Sequence, residues 1–282
     1  MKIRELNHEA VLSLLPDRDP WGHKGSFGKI LLLCGSLGFT GAAYLAAMGA
    51  LRSGAGLTFL GVPEGIYEIE AIKLNEPVVF PLPDEGGKLS SDAIPEILDR
   101  LPKMDAVLIG CGLGQSAGTL AVVKAVLENA KCPVVVDADG INVLSGHKDI
   151  LRGRQHPTIL TPHDGEFARL GSVIGEDRME SASETAGDLG CIVLLKGHET
   201  CITDGKTGYR NRTGNPGMAV GGSGDVLAGI IVSLLGQGLS PLEAAACGAW
   251  LHGAAGDLCA AEIGQYGMLP TDMLQALPRL LK

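Results

Sequence analysis

Short apolar runs recur along this chain and fix what it can fold into: "KILLLCG" (29–35), "GLTFLGV" (56–62), "AVLIGCG" (106–112), "PVVVDAD" (133–139), "PTILTPH" (157–163) and "CIVLLKG" (191–197). Their apolarity is continuous rather than alternating, which suits strands covered on both faces, as in a parallel sheet. Between them lie stretches of helical character at 40–56, 116–130 and 180–190. Alternating strand and helix predicts an α/β fold, with a central, mostly parallel, doubly wound sheet and helices on both faces. Residues 196–205 and 207–215 read as two short antiparallel strands joined at Asp204-Gly205. Beyond them only helices are predicted, over 223–236, 241–263 and 270–281. No linker rich in Ser, Pro or charge interrupts the 282 residues, so a single domain over 1–282 is expected.

Composition excludes several classes of partner. Hydrophobic residues make up 45% and charged residues 20%, enough for a large core. The net charge of −9, without a basic run, disfavours nucleic acid and anionic membranes. The longest lipophilic stretch, "VLAGIIVSLLG", falls short of the roughly 18 residues a span needs. Seven cysteines, odd in number and lacking C-x-x-C spacing, read as buried free thiols. "MKIRELNHEA" has no apolar signal core, so a soluble, cytoplasmic protein is expected.

In doubly wound sheets, ligands bind at the carboxyl ends of the strands, where strand order reverses. The informative residues therefore follow the apolar runs: Gly35-Ser36, Gly112–Gly114, Asp137, His163, Lys196 and the loop 214–225. That loop, "GNPGMAVGGSGD", carries five glycines and one acid before a wholly apolar segment. A helix apolar around its whole circumference is buried, and its start leaves unpaired N–H groups and partial positive charge that an anion satisfies. Gly221, Gly222 and Gly224 permit a phosphate to approach the backbone. Gly222, Ser223 and Gly224 would then form an anion hole, and Asp225 would stand beside it as a base for an attacking hydroxyl. The structural alternative, in which Asp225 only favours a helix start, is worth about 0.3–1 kcal/mol.

Other motifs carry less. No G-x-x-x-x-G-K-[ST] is present, which excludes a P-loop. Gly112-Leu-Gly114-Gln-Ser-Ala117 does fit G-x-G-x-x-[GA], with Asp137 placed as a ribose-binding acid, and forms a rival dinucleotide reading. In "TPHDGEFARL", His163 is placed for ligand contact. Glu166 would either hold Mg²⁺ through water or favour the following helix start. Lys196 would neutralise a polyphosphate or be a solvated strand-end lysine. His252 and Asp257, in an apolar helix, read as satisfied core polar groups. The histidines lack zinc-ligand spacing.

Taken in order, "KGSFGKILLLCGS", "FTGAAYLAAMGALRSGAGL", "VVVDADGINVL", "TILTPHDGEFARL", "VLLKGHET", "GNPGMAVGGSGDVLAGIIVSLLGQG" and "HGAAGD" resemble the ADP/ATP-dependent NAD(P)H-hydrate dehydratases of the ribokinase-like superfamily. The resemblance runs from about Lys24 to Asp272, and "GNPGMAVGGSGDVLAGI" is its most specific element. It implies a ribokinase-like fold, Mg²⁺, ADP or ATP as co-substrate with ADP favoured, and a homotetramer. The implied reaction returns the S-form hydrates, NADHX and NADPHX, to NADH and NADPH by phosphorylating the ring hydroxyl and losing phosphate. An epimerase domain, which many bacterial relatives carry in front, is not expected in this chain.

The resemblance also implies site roles. Asp225 would be the base and a hydrate contact. Lys196, Gly197, His198, Glu199, Thr200 and Gly224 would contact the nucleotide. Ala42 (or its neighbour Ala43), Gly114 and His163 would touch the hydrate. Ribokinase relatives commonly have Asn-x-x-Glu where this chain has His163-Asp-Gly-Glu166, a swap that fits the dehydratases. Two other readings stand beside this one. One is a small-molecule kinase of the same fold, acting on a vitamin precursor or sugar, which would leave a stable phosphorylated product. The other is a non-catalytic nucleotide sensor, which would bind without turnover and has no need of a base at Asp225.

Overall fold

In the computed structural model, which describes residues 2–282, strand and helix alternate as expected. The chain opens with β1 (Lys2–Arg4) and α1 (His8–Leu14), then runs through β2 (Lys29–Leu33), α2 (Thr40–Arg52), β3 (Leu57–Pro63), α3 (Glu64–Lys73) and β4 (Val78–Leu82). A small hairpin of β5 (Asp84–Glu85) and β6 (Lys88–Leu89) precedes α4 (Ile94–Arg100), β7 (Ala106–Ile109), α5 (Ala117–Asn129) and β8 (Val134–Val136). Next come α6 (Asp139–Asn142), α7 (Asp149–Arg152), β9 (Thr158–Leu160), α8 (Asp164–Arg169), α9 (Arg178–Leu189) and β10 (Ile192–Leu195). The hairpin of β11 (Thr200–Thr203) and β12 (Thr207–Asn211) leads to α10 (Ser223–Gly236), α11 (Pro241–Ile263) and α12 (Pro270–Ala276).

The main sheet has the order β1-β12-β11-β10-β9-β8-β7-β2-β3-β4. Only β11 runs against the rest, paired antiparallel with both β10 and β12. All six apolar runs are strands, and alternate residues of each serve opposite faces. On β2, Ile30 and Leu32 pack with α2, α10 and α11, while Leu31 and Leu33 pack with α4 and α5. This double burial explains the continuous apolarity. Strand order reverses between β2 and β7, so the crevice at their carboxyl ends is the expected ligand position.

The helix α10 lies behind that crevice, and every residue from Val226 to Leu235 is buried. Glycines let it approach α2. A Cβ on Gly49 would sit 2.7 Å from the Val226 carbonyl oxygen, and one on Gly229 would collide with the Ala46 carbonyl. Several features escaped the sequence reading, the small β5–β6 hairpin among them. The edge strands β1 and β4 lack an uninterrupted apolar run, the first reading Lys-Ile-Arg and the second containing Pro81. The helix predicted over 270–281 stops at Ala276 and continues as a 3₁₀ turn, where Pro278 offers no N–H. Among the described residues no helix is long and apolar enough to cross a membrane. All seven thiols are free, and six are buried.

Candidate active site

Helix α10 begins as its glycines suggest. Gly222 is the N-cap at φ +95°, a conformation that favours glycine, and Ser223, Gly224 and Asp225 form the first turn. A Cβ on Gly221 would meet nothing within 4 Å, so the backbone there is open to an incoming group. No side chain caps this helix. The Ser223 amide donates to the Val220 carbonyl at 3.3 Å, which leaves the Gly222 and Gly224 amides and the helix dipole to meet an incoming anion.

Asp225 sits over the ends of β7 and β8. Its carboxylate, the Cys111 thiol and the Asp137 carboxylate offer atoms all within 4.8 Å of one another. Burial, then the Asp137 charge, pushes Asp225 up to about 7, against the pull of the Cys111 thiol and Lys196. A carboxylate half-ionised near neutral pH is matched to accepting a proton in a reaction. Cys111 is held well above the usual thiol range by the neighbouring Cys34 thiol and by burial, so it acts as a neutral donor.

Beneath Asp225 lies a buried charge network. Asp137 is 1% exposed; its Oδ1 accepts from Thr161 Oγ1 at 2.6 Å and from Lys196 Nζ at 2.9 Å. Lys196 also faces Glu166 Oε2 at 3.6 Å. Burial alone would lower the Lys196 ammonium, but the two carboxylates outweigh it and hold the pKa above the ordinary value. The solvated-lysine alternative is therefore wrong: the Lys196 side chain is 19% exposed and ion-paired inward. Its Nζ lies 3.6 Å from where a Gly224 Cβ would be, so it stands at the same helix start.

His163 and Glu166 form a capping box on α8. The His163 Nδ1 accepts from the Gly165 amide at 3.0 Å, while Glu166 Oε2 accepts from the His163 amide at 2.9 Å. Because Nδ1 accepts, the ring proton is on Nε2, which faces Glu166 Oε1 at 3.3 Å. The ring keeps 54% of its side-chain surface exposed at the crevice. On the other flank, Gly112 (φ +61°) lies against Ala42, whose Cβ would be 2.7 Å from a Cβ placed there.

The rival dinucleotide reading fails on its amides. The Gly114 N–H donates to Asp139 Oδ2 at 2.9 Å, and the start of α5 is capped by Ser116, whose Oγ accepts from Thr119 at 2.9 Å. Asp137, cast as the ribose acid, is locked to Lys196. Ala138 between the two acids has φ +48°, a costly conformation for a residue with a Cβ, and it turns the chain so that Asp137 and Asp139 serve different partners.

The loop 197–200 leads away from Asp225. Thr200 Oγ1 donates to the Gly197 carbonyl at 3.0 Å, and Glu199, at φ +56°, pairs with Arg210 at 3.6 Å and Arg212 at 3.4 Å. A cavity of about 310 Å³ opens beside it, lined by His198 and Glu199 together with Asp177, Arg178 and Arg210. It does not include Asp225.

Sequence reasoning passed over Cys111 and Thr161, which gave no signal beyond small residues next to a strand end. It also took Asp257 for a core polar group. Asp257 is in fact exposed, and it accepts from the Gly214 amide at 2.9 Å and from Asn215 Nδ2 at 3.0 Å.

Comparison with known proteins agrees with this fold. The model for the NAD(P)H-hydrate dehydratase family matches residues 30–279. The bifunctional NAD(P)H-hydrate repair enzyme Nnr of Moorella thermoacetica is 47% identical over 277 residues, which is 96% of this chain and 52% of that protein. The chain thus spans about half the length of the curated relatives it matches. The ADP/ATP-dependent NAD(P)H-hydrate dehydratase of Bacillus subtilis, co-crystallised with ATP and Mg²⁺, superposes with a TM-score of 0.84 at 33% identity, covering 97% of this chain and 96% of that one. A ribokinase-like superfamily protein of Enterococcus faecalis gives a TM-score of 0.87 at 28% identity, covering 99% and 95%. With an acid at the glycine-rich start of a buried helix, at the reversal point of a ribokinase-like sheet, the chain belongs to the NAD(P)H-hydrate dehydratase family.

Proposed function

We propose that this chain dehydrates the S-forms of NADHX and NADPHX to NADH and NADPH at the expense of a nucleotide, ADP in preference to ATP. The observation that carries this reading is Asp225 in the first turn of α10, uncapped, glycine-flanked and with its pKa raised to about 7. In the reaction Asp225 takes the proton of the ring hydroxyl as that oxygen attacks the terminal phosphoryl group. The amides of Gly222 and Gly224 receive the charge that develops on the phosphoryl oxygens, joined by that of Ser223 once it leaves the Val220 carbonyl. In a well-studied case one such donor is worth about 2.7–4 kcal/mol. AMP leaves as the phosphoryl group is transferred from ADP. The ring nitrogen then expels phosphate from the carbon that bore the hydroxyl, the next ring carbon gives its proton to the departing phosphate, and the nicotinamide double bond returns.

Lys196 and Gly224 meet the phosphates, and Gly197, His198, Glu199 and Thr200 carry the rest of the nucleotide toward the cavity beside β11. Ala42, Gly114 and His163 border the hydrate. Magnesium suits this donor set as an ion that arrives on the nucleotide. Asp137 is already neutralised by Lys196 and Cys111 is a protonated thiol, so they make a poor cation cage. Glu166 would reach a hydrated ion only through water, since it too faces Lys196 and is engaged by His163. Bound so, Mg²⁺ would neutralise phosphate charge.

Free thiols fit a reducing compartment, and the cytoplasm is the proposed location. A homotetramer is proposed as the working assembly. Ile69, Ile72 and Val78, exposed on α3 and the edge strand β4, supply an apolar face that supports it.

The test mixes the purified chain with chemically hydrated NADH and Mg²⁺, adding ADP or ATP in turn. Return of the near-ultraviolet absorbance of reduced nicotinamide with release of inorganic phosphate, faster with ADP, is the expected result. A stable phosphorylated product would favour the small-molecule kinase instead, and binding without turnover would favour the sensor.

A further inference from the structure

The stretch His252-Gly-Ala-Ala-Gly-Asp257 lies outside every role assigned above, yet it touches the catalytic loop at four points. Residues 252, 253, 256 and 257 share one face of α11. His252 Nε2 lies 2.8 Å from the Ser223 carbonyl oxygen and 3.2 Å from Ser223 Oγ. A Cβ on Gly253 would collide with the Thr213 backbone, so only bare backbone admits the loop there, and one on Gly256 would press on the Met218 side chain. Asp257 accepts from the Gly214 amide and the Asn215 side chain. One helix face therefore grips the loop 213–223 at both ends.

We propose that His252 and Asp257 are positioning residues that hold the loop 213–223 in its phosphoryl-receiving shape, with His252 also setting the direction of the Ser223 hydroxyl. This rests on the reading of Gly222–Gly224 as the anion hole. A nitrogen 2.8 Å from a carbonyl oxygen has to be a donor, so Nε2 carries the ring proton. Ser223 Oγ then shares that donor as an acceptor, and its own proton is left to point into the crevice. Burial, opposed by the Ser223 carbonyl, pushes His252 down to about 4, so the ring stays neutral and keeps one fixed role at working pH. His252 is 9% exposed and reaches no substrate itself.

The experiment is a set of variants assayed for ADP-dependent return of NADH from its hydrate. His252→Leu is expected to lower kcat by about 10–100-fold, with KM for ADP within about threefold of wild type, as for an interaction made only in the transition state. His252→Gln, whose amide can donate to the same carbonyl, is expected to recover most of that loss. Ser223→Ala combined with His252→Leu should cost less than the product of the two separate losses. Asp257→Ala, at an exposed position that folding tolerates, should lower kcat with little change in melting temperature. Wild-type kcat in His252→Leu, or separate losses that multiply in full, would overturn the proposal.

Amide hydrogen exchange over 214–223 reads the same inference without turnover. It should speed up about tenfold or more in Asp257→Ala and His252→Leu, and stay near wild type in His252→Gln, while α10 beyond Val226 stays protected. Unchanged exchange would overturn the inference even if the wild type is a good dehydratase. Faster exchange in a chain that returns no NADH would keep the clamp and discard the proposed function.

Discussion

Asp225 has to be ionised to act as a base, yet the site holds its proton until about pH 7. The kcat/KM is therefore expected to rise with pH to a plateau above about 7, measured over pH 5.5–9. The same shift acts on stability. The folded chain binds this proton more tightly than the unfolded one, so the contribution is complete below about pH 3.8 and is lost as pH climbs through about 7. Asp225→Asn should thus be more stable than wild type at pH 8, and the advantage should shrink toward pH 4. The full shift corresponds to roughly 4 kcal/mol at 1.36 kcal/mol per unit, and partial solvent contact brings the expected gain to about 2 kcal/mol in urea unfolding. Removing the charge of Lys196 has the opposite effect on stability at pH 8. Lys196→Met strands Asp137 and Glu166 without their cation, and a loss of about 3–5 kcal/mol is expected at pH 8. An unfolding curve unchanged from wild type would refute that pairing.

Among the elements, α10 was the most legible, because a run apolar on every side has to be buried and a glycine-rich start has to be open. The strands β2, β3, β7, β8, β9 and β10 were legible for the same reason, since burial on two faces leaves few polar positions. What stayed hidden depends on contacts far apart in sequence. Nothing in "WLHGAAGDLCA" distinguishes a histidine that serves the core from one that grips Ser223, because that partner is set by how α11 lies on α10. Lys196 and Asp137 are likewise joined only once β8 and β10 stand two strands apart in the sheet. The close crossing of α2 and α10 yields its own prediction. Gly229→Val would drive a side chain into the Ala46 carbonyl, with an expected cost of about 3 kcal/mol or more in chemical denaturation. Because α10 carries Asp225, the same variant should lose activity even under conditions where it remains folded.

At the scale of the molecule, the fold divides the work between the two sides of one crevice. In the proposed reaction Ala42 on α2, Gly114 beyond β7 and His163 beyond β9 border the hydrate, while Lys196 at the end of β10 meets the phosphates. Asp225, the proposed base, stands between them on a helix whose core contacts hold it in place. Light scattering is expected to give a particle four times the 29.2 kDa chain, and Ile72→Glu on α3 should reduce its size. A monomer in the wild type would remove the tetramer. The measurement that tests the account most directly compares wild type and Asp225→Asn in the nicotinamide-regeneration assay, with ADP binding followed by calorimetry on both. The account predicts regeneration by the wild type, a loss of about 100-fold or more in Asp225→Asn, and ADP affinity preserved within a few-fold. Regeneration by Asp225→Asn at the wild-type rate would contradict it.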